Sequence, residues 1–101
     1  MKTTFYIVLN MKRSDGFEAY GRFFIGNDHT AANLLFSELQ GSSIISDEDI
    51  LHMDLMETVD GLPVNMKVIN CRLDELTANC RIVTKHVFKL LNLEEMGGER
   101  E

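Results

Sequence analysis

The chain has 101 residues, of which 45% are hydrophobic and 26% charged, and carries a formal net charge of -6. That length suits one domain of the commonest size, about 100 to 150 residues, and the composition lies far from the weakly hydrophobic, highly charged corner where chains fail to fold. The acidic balance opposes a surface that tracks phosphates, because affinity for nucleic acid comes mainly from Lys and Arg displacing counterions, so no nucleic-acid partner is expected.

No run approaches the roughly 18 apolar residues that would cross a bilayer, and Met1 to Thr4 leads directly into a strand-like segment. No membrane partner and a cytoplasmic location are the expectation. Cys71 and Cys80 are too few for a disulfide scaffold, which predicts two reduced thiols.

In chain order, Thr4 to Met11 is dense in β-branched and aromatic residues and ends at the polar cluster Lys12 to Gly16, which predicts a strand and a turn. After Asp15-Gly16, Phe17, Ala19, Gly21, Phe23 and Ile25 alternate with Glu18, Tyr20, Arg22 and Phe24, the pattern of a second strand paired back on the first. Gly26-Asn27-Asp28 offers side-chain acceptors for a helix start, and Ala31, Ala32, Leu34, Leu35, Phe36 and Leu39 recur at helical spacing as far as about Gln40. Gly41 closes that helix. Ser42 to Asp49 reads as loop, although Ser46-Asp47-Glu48-Asp49 resembles a capping box that could form one short turn.

Period two returns from Ile50 to Val59, with Leu51, Met53, Leu55 and Val59 on one face and His52, Asp54, Met56 and Thr58 on the other. Asp60-Gly61 repeats the hairpin signal, and Val64, Met66 and Val68 alternate with Asn65, Lys67 and Ile69 in a fourth strand that Pro63 begins. Leu73, Leu76, Cys80, Val83, Val87 and Leu90 then step by three and four along a long amphipathic helix, widened by Phe88 and Leu91. Asp74 and Glu75 in its first turn suit the helix dipole. The pattern is strand-strand-helix twice over: an α+β fold of two ββα units, with a four-stranded, largely antiparallel sheet and both helices on one face. Residues 1–93 form the single domain, and the polar stretch 94–101 is expected to fray.

Helices on one face leave the other without cover. Alternation assigns to it Tyr20, Arg22, Phe24, His52, Asp54, Met56, Thr58, Lys67 and Ile69, with Tyr6 and Val8 or their odd-numbered neighbours from the first strand. Tyr, Phe, Met and Ile with a few charges are what association surfaces carry. The expected interaction surface is therefore Tyr20, Arg22, Phe24, Met56, Lys67 and Ile69.

Chemistry has few candidates. His52 and Asp54 stand two residues apart on one strand face, close enough to share a proton or a metal, but neither a CxxC nor an HExxH spacing supplies further ligands. Cys71 precedes a helix N-terminus beside Arg72, two influences that favour a thiolate, and Cys80 lies on the apolar stripe. Arg81, Lys85 and Lys89 line one side of the second helix as a solvated face. No cofactor and no metal are expected. The function expected is that of a small non-enzymatic domain that binds itself, as a homodimer, or another protein through the open sheet face or a strand edge. The alternative is a small-molecule-binding protein or minor enzyme with a site between helix and sheet, using Cys71 or the His52 and Asp54 pair.

Overall fold

The computed structural model of the chain describes residues 3–46 and 48–96. The elements are β1 (Thr3–Arg13), β2 (Gly16–Phe24), α1 (His29–Ser37), β3 (Leu51–Val59), β4 (Leu62–Cys71) and α2 (Leu73–Met96). They build one four-stranded antiparallel sheet in the order β2-β1-β3-β4, so the two hairpins meet through β1 and β3. The expected α+β class and ββαββα order are both present.

Turn chemistry sets the hairpins. Asp60 and Gly61 both have positive φ, +52° and +87°, and form the two-residue connection between Val59 and Leu62. In the first hairpin Arg13 pairs with Gly16, so Ser14-Asp15 is the turn and Gly16, at φ +131°, follows it. The register of β2 shifts opposite Leu9 and Asn10, leaving Tyr20 as an extra residue, and that of β4 shifts opposite Leu55 and Met56, leaving Met66. Each hairpin's returning strand thus carries a β-bulge, which reverses the alternation on one side of it.

The core lies between the sheet and both helices. Phe5 and Ile7 of β1, Leu51, Met53 and Leu55 of β3, and Ile25 and Cys71 meet Ala32, Leu35 and Phe36 of α1 and Leu76 and Val83 of α2. Fully burying one such large side chain contributes about 1.5–3 kcal/mol, so this single layer dominates stability. Asp28 caps α1 by accepting from the Ala31 amide at 3.2 Å, and the Glu75 carboxylate accepts from the Arg72 amide at 2.9 Å at the start of α2. α1 ends three residues before the expected Gln40, and Leu34 points outward instead of joining the buried face. Leu73 and Phe88 are likewise exposed, so α2 buries Leu76, Asn79 and Val83 and packs the half-buried Cys80, Ile82 and Val87 beside them. Residues 94–96 continue α2; residues 97–101, the rest of the expected frayed tail, lie outside the described residues, as does Asp47.

Two asparagines tie the connection between α1 and β3 to the body. Asn79, wholly buried, accepts from the Gln40 amide and donates to the Gln40 carbonyl, both at 2.7 Å. Asn70 donates to the carbonyls of Ser42 and Ile44, while the Ser42 and Asn70 backbones exchange hydrogen bonds of 3.0 and 2.8 Å. Between them Gly41 has φ +152°, and a Cβ there would stand 2.5 Å from the Asn70 carbonyl oxygen. Ser46 and Asp49 do form a capping-box turn: the Asp49 carboxylate accepts from the Ser46 amide at 2.7 Å and the Ser46 hydroxyl from the Glu48 amide at 3.1 Å. No helix follows it. Among the described residues, no helix is long and apolar enough to cross a membrane.

Candidate interaction surface on the uncovered sheet face

The register places three rows of side chains across the face opposite the helices. The first is Phe24, Tyr6, Met56 and Asn65; the second Arg22, Val8, Asp54 and Val68; the third Ala19, Asn10, His52 and Asn70. β3 contributes the even-numbered residues that alternation assigned, and β1, whose parity alternation left open, contributes Tyr6, Val8 and Asn10, because Phe5, Ile7, Met53 and Leu55 are buried under the helices.

The bulges correct the edge strands. Past Met66 the alternation of β4 reverses, so Val68 and Asn70 occupy the open face while Ile69 packs against the core and Lys67 pairs with Leu55 on the helix side. Lys67 and Ile69 line a depression there with Phe36 and Leu39. In β2, Tyr20 is the bulged residue, and its hydroxyl accepts from Arg13, which also grips Glu18 opposite Met11, away from Arg22. Phe17 and Ala19, expected to face inward, join the open face in its place, and the Phe17 ring stacks on His52 at 4.3 Å. Of the expected interaction surface, Arg22, Phe24 and Met56 share the open face; Tyr20, Lys67 and Ile69 do not.

Polar groups frame the middle of this face. Tyr6 hydrogen-bonds the Thr58 hydroxyl, and the Arg22 guanidinium lies over the Tyr6 ring, 5.2 Å from its centroid. Asn65 donates to Asp54 Oδ2 at 2.7 Å, whereas Asp54 Oδ1 is shielded and has no hydrogen-bond partner. A shallow trough of about 460 Å³ lies here, lined by Tyr6, Val8, Asn10, Arg22, Asp54, Met56, Gly61, Pro63 and Asn65.

The catalytic candidates are not assembled. His52 Nε2 lies 3.5 Å from Asp49 Oδ2 without a hydrogen bond, so the carboxylate beside the imidazole is Asp49 and not Asp54. Among the described residues, no three His, Cys, Asp or Glu side chains gather where a metal ion could be held. Cys71 is buried, donating to the Gln40 carbonyl at 3.6 Å, with Asn79 Nδ2 at 3.5 Å. Burial pushes its thiol pKa up to about 11, against the Asn79 hydrogen bond that favours the thiolate, and the nearby Glu75 charge pushes it further in the same direction. Arg72, expected to favour a thiolate, turns to Asp74 at 3.3 Å and Glu75 at 3.4 Å. Desolvation raises the Cys80 thiol as well. Sequence reading missed Phe17 and Val68 on this face, which only the bulge positions could have revealed, since alternation alone does not mark them; Asn65, before the bulge, keeps the parity that alternation gave it with Lys67 and Ile69. Comparison with protein-family models, curated proteins and solved structures finds no match for this chain.

Proposed function

We propose that this chain is a non-enzymatic, self-associating domain whose contact surface is the uncovered face of its sheet. The observation that carries the reading is the first row of that face: Phe24, Tyr6 and Met56 stand together with no helix over them, Phe24 49% exposed, and Val8 beside them is 8% exposed under its neighbours. Adjacent apolar side chains on a bare sheet gain by covering one another, and a second sheet is the natural cover, packing about 10 Å away. Both cysteines are free thiols, which fits work in a reducing, cytoplasmic setting.

Sedimentation equilibrium of the full chain from about 10 μM to 1 mM tests this. A dimer that Met56→Glu dissociates supports the proposal, since a carboxylate at the centre of an apolar contact would be buried without a partner. A strict monomer throughout that range refutes it. The second reading, a small-molecule site, draws on the trough alone, whose volume of about 460 Å³ is within the range of ligand pockets, ~300–1,000 Å³.

A further inference from the structure

We infer that the occupant of this face is a second copy of the chain, related by a two-fold axis running along β1, so that Arg22 of each protomer meets Asp54 of the other. The inference rests on the self-association reading and adds to it a specific geometry and a specific pair of charges.

In the middle row Arg22 and Asp54 flank Val8, one strand to either side of β1, each about 4.8 Å away in the pairing direction. Among the described residues, neither makes an ion pair within the protomer. Arg22 lies on the face of Tyr6, and Asp54 spends Oδ2 on Asn65 while its Oδ1, shielded in the lone protomer, has no partner. A cation and a carboxylate set symmetrically about a central strand are self-complementary under one operator only. An axis along β1 exchanges left and right, bringing each Arg22 over the opposite Asp54, with the two Val8 positions, each 8% exposed in the protomer, lying beneath the axis. An axis at right angles, through the same row, would place Arg22 on Arg22 and Asp54 on Asp54, a like-charge arrangement that excludes pairing.

The neighbouring rows agree. The lengthwise axis lays Phe24 of β2 against the partner's Met56, a favourable sulfur-aromatic contact, and sets small Ala19 opposite the His52 ring. The transverse axis would instead mix the apolar first row with the polar third, Met56 over His52 and Tyr6 over Asn10. With β1 on the axis, three strands overlap and β4 overhangs. Three strands about 4.8 Å apart, each roughly 30 Å long, give a footprint on the order of 400 Å² per protomer, about 800 Å² in all, short of the ~1,000 Å² that a stable specific interface clears, which places the contact among weak, transient ones. The dimer is therefore reversible and concentration-dependent.

Charge exchange tests the operator by sedimentation equilibrium, with circular dichroism of each variant as the folding check. Arg22→Glu and Asp54→Arg each weaken the homodimer at least tenfold. Mixing the two variants restores association, because Glu then faces Arg at one end and Asp faces Arg at the other. The double variant Arg22→Glu/Asp54→Arg in one chain restores the homodimer for the same reason, and neither rescue can come from a misfolded protein. If wild type dimerises but both single variants dimerise equally well, or if neither mixture nor double variant recovers what the singles lose, the axis and the charge pair are wrong while the open-face reading stands on Met56→Glu. If wild type never dimerises, both fall together.

Discussion

Replacing Asn79 by Ala removes the side chain that ties α2 to the segment leaving α1. Asn79 is 0% exposed, and its amide spans the Gln40 backbone with two hydrogen bonds of 2.7 Å, one accepted and one donated. A net intramolecular hydrogen bond is worth about 1 kcal/mol, and a buried group left without its partner costs about 1–3 kcal/mol. Gln40 is near enough to the surface for water to recover part of that, so the lower figure applies to each bond, about 2 kcal/mol together. The Asn79 amide also packs on the sulfurs of Met53 and Cys71, at 3.6 and 3.5 Å, and the space left there adds about 1 kcal/mol. A loss near 3 kcal/mol lowers the melting midpoint of a domain this size by about 12 to 24 °C. Urea denaturation and thermal unfolding followed by circular dichroism measure both quantities. A loss below about 0.5 kcal/mol, the scatter of ordinary surface substitutions, would falsify the clamp. Asn79→Asp sharpens the test: at neutral pH its second carboxylate oxygen opposes the Gln40 carbonyl, so it is at least as unstable as the Ala variant, and it regains stability at low pH, where the protonated acid can donate.

Gly41→Ala is expected to destabilise by more than about 2 kcal/mol, because its Cβ would meet the Asn70 carbonyl at 2.5 Å in a positive-φ conformation, whereas Gly21→Ala, whose Cβ meets Leu9 at 3.8 Å, should stay within about 1 kcal/mol; equal effects in urea melts would contradict this. Cys71 should react with a disulfide reagent at pH 7.5 at least about a hundredfold more slowly than a free thiol, since raising its pKa from 9.0 to about 11 cuts the thiolate fraction by that factor; reaction at the free-thiol rate would reinstate it as a nucleophile. The same shift makes the folded state hold the Cys71 proton more tightly than the unfolded one, so its contribution is intact below pH 9 and is lost as pH rises toward 11. That loss is on the order of 2 kcal/mol and should be absent from Cys71→Ala; a Cys71→Ala stability profile parallel to wild type over that window would show that the thiol does not titrate as its burial requires.

The local features of this chain were written in its sequence. Two-residue periodicity in β3 fixes which residues turn inward, since successive side chains must alternate, whereas β1, apolar on both faces, needed its pairing with β3 to settle it; Asp60-Gly61 calls for the positive φ values that a tight hairpin needs. Helical spacing marked α1 and α2, and Asp28 marked the start of α1, because capping depends only on residues within one turn. The candidate site was half legible for the same reason: Arg22, Phe24, His52, Asp54 and Met56 follow from alternation within uninterrupted strand.

Tertiary structure decided the rest. A bulge arises where two strands of unequal count must stay paired, so the displacement of Tyr20, Lys67 and Ile69 from the open face, and the arrival of Phe17 and Val68 there, depend on the partner strand and not on the segment itself. The burial of Cys71 beside Asn79 and Gln40, which opposes a thiolate there, joins three separate segments that no local spacing connects. The placement of Arg22 and Asp54 on opposite flanks of Val8 exists only because β1 lies between β2 and β3, a strand order set by which pairing buries the most apolar surface over the whole chain.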